Sequence, residues 1–159
     1  VRFKERLRNL LAGEPDFDYS QITPRLYVGG TYRHSAYRIF KQWGVTGIVN
    51  MRSTASQTPA SGFDILHLKT RDWTPPSLED FARGVAFIDE KVAAGGSVYV
   101  HCRQGEGRGP SMAAAYLISH GLSVEEALSV LKRGRPMARP NRSQVRQLAR
   151  WQDSLTNAN

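Results

Sequence analysis

The sequence predicts an α/β fold in a single domain, in which helices flank a central, mostly parallel, twisted sheet of about four or five strands. Short runs of β-branched and apolar residues alternate with helical stretches along the chain, which is the pattern of α/β layers. The chain has 159 residues, and a typical domain has about 100–150, so a second folded module has no room. Hydrophobic residues make up 40% and charged residues 23%, a globular composition that excludes global disorder.

The first residues predict an amphipathic helical appendage. Apolar side chains recur at helical spacing on one face of residues 1–11, and the GEPDFDYS that follows is typical of turns. The basic polar face suits a membrane surface, but so short a helix favours packing on the domain instead. We therefore place the appendage at residues 1–19 and the main domain at residues 20–155. The apolar positions are Val1, Phe3, Leu7, Leu10 and Leu11.

Five short segments have the apolar content of strands. ITPRLYVGG (22–30) contains two strand-like pieces around Pro24 and ends in two glycines. GVTGIVNM (44–51) is predicted to be a buried strand, and DILHL (64–68) and SVYVH (97–101) are two more. Helical stretches separate most of these segments, so parallel pairing is expected for the inner strands.

Five helices are predicted between and after the strands. Ser77 is a good N-cap for a helix that runs to the glycine pair at 95–96. Ser123 caps another helix, with Glu126 at the capping-box position. The remaining helices are predicted at 36–43, at about 110–120 and at about 141–155.

The chain has one cysteine, Cys102. An intramolecular disulfide and an all-cysteine zinc site are therefore excluded, and a reducing cytoplasmic location is expected. The sequence, which begins at Val1, contains neither a run of about 18 apolar residues nor the apolar core of a secretory signal, so a soluble protein is expected. We predict no metal and no cofactor.

The net charge of +8 is unevenly distributed. Residues 1–11 carry +3 and residues 132–150 carry +7, whereas the rest of the chain carries −2. This basic C-terminal segment predicts an anionic partner: a phosphorylated substrate, an acidic protein, nucleic acid or an anionic lipid surface. A solvated face that merely aids solubility is the alternative, because charge runs on helices commonly serve that purpose.

A strand, a glycine-containing loop and a helix follow one another in SVYVHCRQGEGRGPSMAAAYLI. Cys102 lies at the carboxyl end of the strand, where α/β proteins commonly place their chemistry. Backbone N–H groups of such a loop and the helix N-terminus can hold a tetrahedral oxyanion, and the same field favours ionisation of the thiol. Arg108 offers a planar, two-pronged partner for a phosphate. Taken alone, a lone cysteine is more commonly a small buried hydrophobic residue.

The string HCRQGEGR resembles the C-x5-R phosphate-binding loop of the cysteine-dependent protein tyrosine phosphatases. The wider succession ITPRLYVGG, GVTGIVNM, TRDW, VYVHCRQGEGR, AYLISHGLSVEEAL, RP and PNRSQVRQLARW is similar to their compact dual-specificity branch. The resemblance covers about residues 20–152, and the ordered succession is far more specific than the loop alone. It implies a dual-specificity phosphatase-like fold and a reaction that needs no metal ion. Separately, we expect the protein to be a monomer.

The resemblance also implies roles for the loop. Cys102 would be the nucleophile that forms a cysteinyl-phosphate intermediate, and His101 would help to set the thiolate by hydrogen bonding. Arg108 would bind the phosphoryl oxygens together with the backbone amides of the loop, which offsets charge as the phosphoryl group transfers. The loop residues are Arg103, Gln104, Gly105, Glu106, Gly107 and Arg108.

Two further residues match the pattern of this family. Asp72 lies at the general acid's position, on a loop after a strand, where it would protonate the leaving oxygen and then activate water. Taken alone, it is a turn-forming aspartate. Asn141 corresponds to an asparagine that braces the active-site loops, although by itself it is a plausible helix N-cap.

The sequence departs from the family at two positions. Gly109 stands where a serine or threonine hydroxyl commonly helps the sulfur to leave, and Ser111 is two residues further on, so slow breakdown of the intermediate is expected. Glu106 places a carboxylate inside the anion-binding loop, which should oppose a multiply phosphorylated ligand. Inositol-lipid phosphatases tend to have lysines in this loop, so Glu106 disfavours that substrate.

The leading hypothesis is a phosphatase for phosphomonoesters, acting on phosphotyrosine and also on phosphoserine and phosphothreonine in proteins. The same chemistry on a phosphorylated glycan, a lipid or an RNA end is an alternative. A phosphate-binding module that traps its substrate with little turnover is a hypothesis of another class, which the intact Cys102, Arg108 and Asp72 disfavour. Sulfur transfer is disfavoured by the upstream sequence.

Overall fold

A computed structural model describes residues 15–55 and 62–158. The amphipathic helix predicted at residues 1–11 lies outside the described residues. Tyr19, which the prediction assigned to the appendage, instead begins the first strand of the sheet, where it pairs with Gly29. The strands are β1 (Tyr19–Thr23), β2 (Leu26–Gly29), β3 (Val45–Asn50), β4 (Asp64–His67) and β5 (Ser97–His101). The helices are α1 (Ala36–Gln42), α2 (Leu78–Ala93), α3 (Arg108–Ser119), α4 (Val124–Gly134) and α5 (Arg142–Asn157).

The five strands form one sheet in the order β1-β2-β5-β3-β4. Edge strand β1 runs antiparallel to β2, and every other neighbouring pair is parallel. The predicted single-domain, mostly parallel α/β fold is thereby confirmed. The register pairs His101 with Gly29 on one side and with Asn50 on the other. The carboxyl ends of the inner strands therefore meet at one edge of the sheet, where the residues after β5 begin the candidate site.

Helices cover both faces of the sheet, and each face has its own core. On one face, α2, α3, α4 and α5 pack on buried aliphatic side chains such as Val49 and Val100. On the other face, α1 packs through aromatic rings, with Phe40 against Tyr99 at a ring-centroid distance of 4.7 Å. This two-sided burial explains why β5 is buried along its whole length and has a continuous apolar run in its sequence.

Helix α3 runs through the centre of the larger core, and all its residues but the last are buried. Its close contact with α2 depends on a glycine: a β-carbon at Gly84 would lie 2.4 Å from the sulfur of Met112. Replacing Gly84 by a larger residue would therefore displace the end of the Met112 side chain from the core between the two helices. Because α3 begins at Arg108, this packing fixes the direction in which the helix N-terminus points.

The three predicted N-caps are confirmed. Ser77 accepts a hydrogen bond from the backbone N–H of Asp80, and Ser123 accepts one from that of Glu126. Asn141 caps α5 with a complete capping box that includes Gln144. Each cap stabilises its helix by about 1 kcal/mol.

Several element ends differ from the prediction. Helix α3 begins two residues earlier than expected because Gly107 accepts hydrogen bonds from both the backbone N–H and the hydroxyl of Ser111, which closes the first turn before Pro110. Helix α5 continues to Asn157, and β4 ends at His67. Within the described ranges, no helix is long and apolar enough to cross a membrane.

Candidate active site

The loop between β5 and α3 folds around the thiol of Cys102. The backbone N–H of Gly105 donates a hydrogen bond to Cys102 Sγ over 3.3 Å. Gly105 has φ +69°, a conformation that favours glycine, and a β-carbon there would lie 2.7 Å from the backbone of Gly29. The loop therefore needs glycine at this position both for its turn and for its close contact with β2.

Arg135, just after α4, holds this loop from behind. Its Nε donates to the carbonyl oxygen of Gly105 over 2.7 Å, and its Nη2 donates to that of Gln104 over 3.0 Å. In a trans peptide the N–H points opposite to the C=O, and the described residues have no cis peptide bonds. The N–H groups of Gly105 and Glu106 are therefore turned away from Arg135, which is the arrangement that an anion-binding loop requires.

The burial of Arg135 corrects the interpretation of the basic segment 132–150. Its side chain is only 1% exposed, and it pairs with the carboxylate of Asp18 through an Nη2–Oδ2 distance of 2.7 Å. Arg135 therefore belongs to the interior support of the loop and contributes nothing to a basic surface. The exposed cations of the segment are Lys132, Arg133, Arg139, Arg142, Arg146 and Arg150.

Arg108 and Asp72 are brought together, although 36 positions separate them in the sequence. The buried guanidinium of Arg108 donates from Nη1 to the carbonyl oxygen of Thr70 over 2.9 Å. Its Nη2 lies 3.5 Å from Asp72 Oδ1. The Asp72 side chain remains 55% exposed, so its carboxylate is open to a molecule that enters from solvent.

The segment that carries Asp72, which we call the acid loop (residues 71–76), is tied to one face of α5. The side-chain amides of Asn141, Gln144 and Gln147 each donate to a carbonyl oxygen of the acid loop. The acceptors are those of Trp73 over 2.8 Å, Thr74 over 3.2 Å and Pro76 over 3.0 Å. Spacing of three residues places these amides on one side of the helix, so α5 aligns the loop over several residues.

These parts line a cleft of about 360 Å³. The predicted residues Cys102, Arg108 and Asp72 all contribute to it. Three lining residues were not predicted: Trp73, Arg139 and Gln144. Only the adjacency of Trp73 to Asp72 offered a sequence signal. The other predicted lining residues are Arg103, Gln104, Glu106 and Gly107.

His101 lies at the end of β5, beneath the loop. Burial lowers the pKa of His101 to about 4, so its imidazole is neutral near neutral pH. The ring Nδ1 lies 3.2 Å from the carbonyl oxygen of Cys102. His101 therefore contacts the backbone of Cys102. The family resemblance implied that hydrogen bonding by His101 helps to set the thiolate.

The two departures from the family pattern lie in the loop and in the first turn of α3. A β-carbon on Gly109 would lie 3.6 Å from Cys102 Sγ, at an ordinary contact distance. The hydroxyl of Ser111 donates to the carbonyl oxygen of Gly107 over 2.6 Å, so it is already engaged. Glu106 lines the cleft. Among the residues that the structure describes, no cluster of three or more acidic, histidine or cysteine side chains could hold a metal ion.

A family model for the catalytic domain of dual specificity phosphatases matches residues 26–154. The chain belongs to this family. Membership confirms the predicted cysteine-dependent phosphatase of the compact dual-specificity branch. As in that family, phosphorylated molecules are the substrates.

Two relatives and one solved structure illustrate the similarity. The chain is 34% identical over 138 residues to dual specificity protein phosphatase 1 of Arabidopsis thaliana, covering 86% of this chain and 70% of that one. It is 32% identical over 150 residues to phosphatidylglycerophosphatase and protein-tyrosine phosphatase 1 of Mus musculus, covering 87% and 78%. The crystal structure of PTPMT1 in complex with PI(5)P superposes with a TM-score of 0.82 at 28% identity, covering 88% and 97%.

Proposed function

We propose that this dual-specificity phosphatase hydrolyses phosphotyrosine, and also phosphoserine and phosphothreonine, through a cysteinyl-phosphate intermediate. One observation supports this most directly: Cys102, Arg108 and Asp72 line the same cleft. The cleft thus contains a nucleophile, a bidentate phosphate ligand and an acid, which are the groups that a two-step phosphoryl transfer requires.

In the first step, the sulfur of Cys102 attacks phosphorus and the bond from phosphorus to the leaving oxygen breaks. Asp72, in its protonated form, gives its proton to that oxygen, so the alcohol or phenol leaves neutral. Arg108 and the N–H groups of the loop bind the remaining phosphoryl oxygens. Catalysis then comes from positioning and from charge that is fixed before the reaction begins.

In the second step, a water molecule attacks phosphorus and gives its proton to the Asp72 carboxylate. The sulfur–phosphorus bond breaks, inorganic phosphate leaves and the thiolate is restored. Gly109 has no hydroxyl, and the hydroxyl of Ser111 donates its hydrogen bond to the carbonyl oxygen of Gly107. Neither residue therefore offers a hydroxyl to stabilise the departing sulfur. We therefore expect this step to limit the turnover of substrates with good leaving groups.

The test is hydrolysis of an aryl phosphate between pH 5 and 8 with a chelator present. Cys102→Ser should abolish turnover, and Asp72→Asn should impair it most for substrates whose leaving group needs a proton. Asp153→Asn, an exposed aspartate of α5 away from the cleft, is the matched control and should behave as wild type. A burst of one equivalent without turnover would favour a substrate-trapping module, and no reaction by folded protein would contradict the proposal.

A phosphorylated lipid is a second candidate substrate. The similarity to a mouse protein named for phosphatidylglycerophosphate and to a structure that contains PI(5)P favours it. The Glu106 carboxylate in the loop opposes it, because a multiply charged headgroup would meet a like charge there. Comparing PI(5)P vesicles with a phosphotyrosine peptide decides between them, and Glu106→Gln should raise activity on the vesicles more than on the peptide.

The basic surface of α5 offers a place for an anionic partner. Arg142, Arg146 and Arg150 are exposed along this helix, which begins beside the cleft. Replacing all three by glutamine should weaken the effect of salt on the KM for an acidic peptide, because exposed charges act through a screened field. Action as a monomer and a cytoplasmic location stay predictions, which sedimentation and cell fractionation can check.

A further inference from the structure

The strongest unexplained feature of the cleft is Trp73. This residue is 76% exposed, which is far more than any other large hydrophobic residue in the described ranges. The other residues that line the cleft are a glycine, the nucleophilic cysteine and polar or charged side chains. Trp73 is therefore the one large apolar surface that the cleft presents to a bound molecule.

The backbone of Trp73 is also unusual. It has φ +65°, and no other non-glycine residue in the described ranges has a positive φ. For a residue with a large side chain this conformation costs free energy that glycine or asparagine largely avoids. Burial cannot offset the cost here, because the indole lies mostly in solvent.

Two hydrogen bonds hold Trp73 in this conformation. Its N–H donates to Asp72 Oδ1 over 3.0 Å, and its carbonyl oxygen accepts from Asn141 Nδ2 over 2.8 Å. Both bonds use backbone atoms of Trp73, so they fix the residue whatever its side chain is. The indole itself is thus free to serve a ligand, and strain that persists at a cleft is a recognised sign of function.

We propose that Trp73 forms an aromatic wall that contacts the ring of phosphotyrosine and so makes the enzyme prefer aryl over alkyl phosphomonoesters. This inference rests on the proposed function and deepens it. With the phosphate bound in the loop, the group that carries it lies beside Asp72, the residue next to Trp73. A phenol ring there buries apolar surface against the indole, whereas the short side chain of phosphoserine offers little surface to bury.

The test compares two peptides of identical sequence that contain either phosphotyrosine or phosphoserine. In Trp73→Asn, the ratio of kcat/KM for phosphotyrosine to that for phosphoserine should fall about tenfold. Trp73→Phe should keep most of the wild-type ratio, since it retains a ring. Met137→Asn is the matched control, because Met137 is an exposed apolar residue that does not line the cleft, and it should leave the ratio unchanged.

The direction of the change separates a wall from a role in placing Asp72. If Trp73 only positioned Asp72, Trp73→Asn would lower kcat/KM more for the phosphoserine peptide than for the phosphotyrosine peptide. The reason is that an alkoxide is the poorer leaving group and depends more on the proton from Asp72. Equal losses on both peptides, or a larger loss on phosphoserine, would overturn the proposal. Because asparagine tolerates positive φ, Trp73→Asn should melt no lower than wild type.

A binding experiment keeps this inference distinct from the proposed function. Calorimetry on Cys102→Ser should show that adding Trp73→Asn lowers the binding affinity for the phosphotyrosine peptide more than that for the phosphoserine peptide. Equal affinities for the phosphotyrosine peptide with and without Trp73 would contradict the proposed contact between Trp73 and the phosphotyrosine ring. Failure of wild-type protein to hydrolyse any phosphomonoester would instead contradict the proposed function and leave the binding result to stand on its own.

Discussion

The side-chain amide of Asn141 donates a hydrogen bond to the carbonyl oxygen of Trp73 over 2.8 Å. The Oδ1 of the same side chain accepts from the backbone N–H of Gln144 over 3.0 Å, which caps helix α5. One residue therefore begins a helix and holds the acid loop next to Asp72. The sequence left two alternatives for Asn141, a helix N-cap or a brace for the loop. In the structure, Asn141 makes both contacts.

Replacing Asn141 by serine separates these two contacts. Serine can still cap α5, but it is too short to replace the bond to Trp73. We expect Asn141→Ser to unfold close to the wild-type temperature and to lose about tenfold in kcat/KM on a phenyl phosphate with a poor leaving group. For a substrate with a good leaving group, kcat/KM should fall much less. Equal falls in kcat/KM for both substrates would contradict a role of Asn141 in placing Asp72.

Adding a hydroxyl at Gly109 should accelerate the second step. A β-carbon at this position would lie 3.6 Å from Cys102 Sγ, which leaves room for serine. We expect Gly109→Ser to raise kcat for a substrate with a good leaving group about tenfold, since one positioned hydrogen-bond donor commonly contributes at least that much. Rapid-quench measurement of the phosphorylated enzyme checks this.

The control for Gly109→Ser is Gly109→Ala, which adds the carbon without the hydroxyl. It should leave the level of phosphorylated enzyme unchanged. If alanine accelerates turnover as much as serine does, the effect comes from packing around Cys102 and the expected role of a hydroxyl is wrong.

Loss of the Asp18 carboxylate should destabilise the phosphate-binding loop. Arg135 is buried, and Asp18 is its one carboxylate partner in the described ranges. Asp18→Asn leaves a buried guanidinium without a counter-charge, which we expect to cost about 2 kcal/mol of unfolding free energy and to raise KM for an aryl phosphate. Asp16→Asn, two residues earlier in the chain, should change neither; an unchanged unfolding curve for Asp18→Asn would contradict the support assigned to Arg135.

The neutral state of His101 makes stability depend on pH. Its pKa is about 4 in the folded protein and about 6.5 in the unfolded chain, so below pH 6.5 the unfolded chain binds a proton that the folded protein does not. The free energy of unfolding is therefore highest above pH 6.5. It falls by about 3 kcal/mol as the pH decreases toward 4. Urea unfolding between pH 4.5 and 7.5 measures it.

Two variants check the source of this pH dependence. His101→Asn should flatten the fall in unfolding free energy between pH 6.5 and 4.5, because it removes the titrating group. His34→Asn removes an exposed histidine away from the sheet interior and should keep the wild-type slope. If both variants keep the slope, another group carries the pH dependence.

Strands and helix caps could be predicted because their signals are local. The apolar run SVYVH is typical of a strand with both faces covered, and it is buried throughout in β5. Ser77 and Ser123 cap their helices as expected because an N-cap needs only a side-chain oxygen and the backbone N–H three residues later. The position of Cys102 at the edge of the sheet follows from the same local pattern.

Gln144 could not be assigned to the cleft from the sequence, and the only signal for Trp73 was its adjacency to Asp72. The local pattern around Gln144 is that of an ordinary third residue of a capping box, and only the approach of α5 to the acid loop gives it a second contact at Thr74. Trp73 lies in a loop punctuated by prolines, and nothing local reveals a positive φ that depends on Asn141.

The sequence by itself determined the α/β architecture, because periodicity and helix caps are properties of neighbouring residues, and its C-x5-R spacing carried the family resemblance that predicts Cys102 as the nucleophile. Only the tertiary structure showed that Asp72 lies beside Arg108 and that Arg135, which the sequence placed in the basic segment, supports the loop from the interior. Arg108 faces Asp72 in the cleft, whereas Arg135 is buried against Asp18 behind the loop. Both side chains are buried, and their partners are set by long-range packing, which no local pattern encodes.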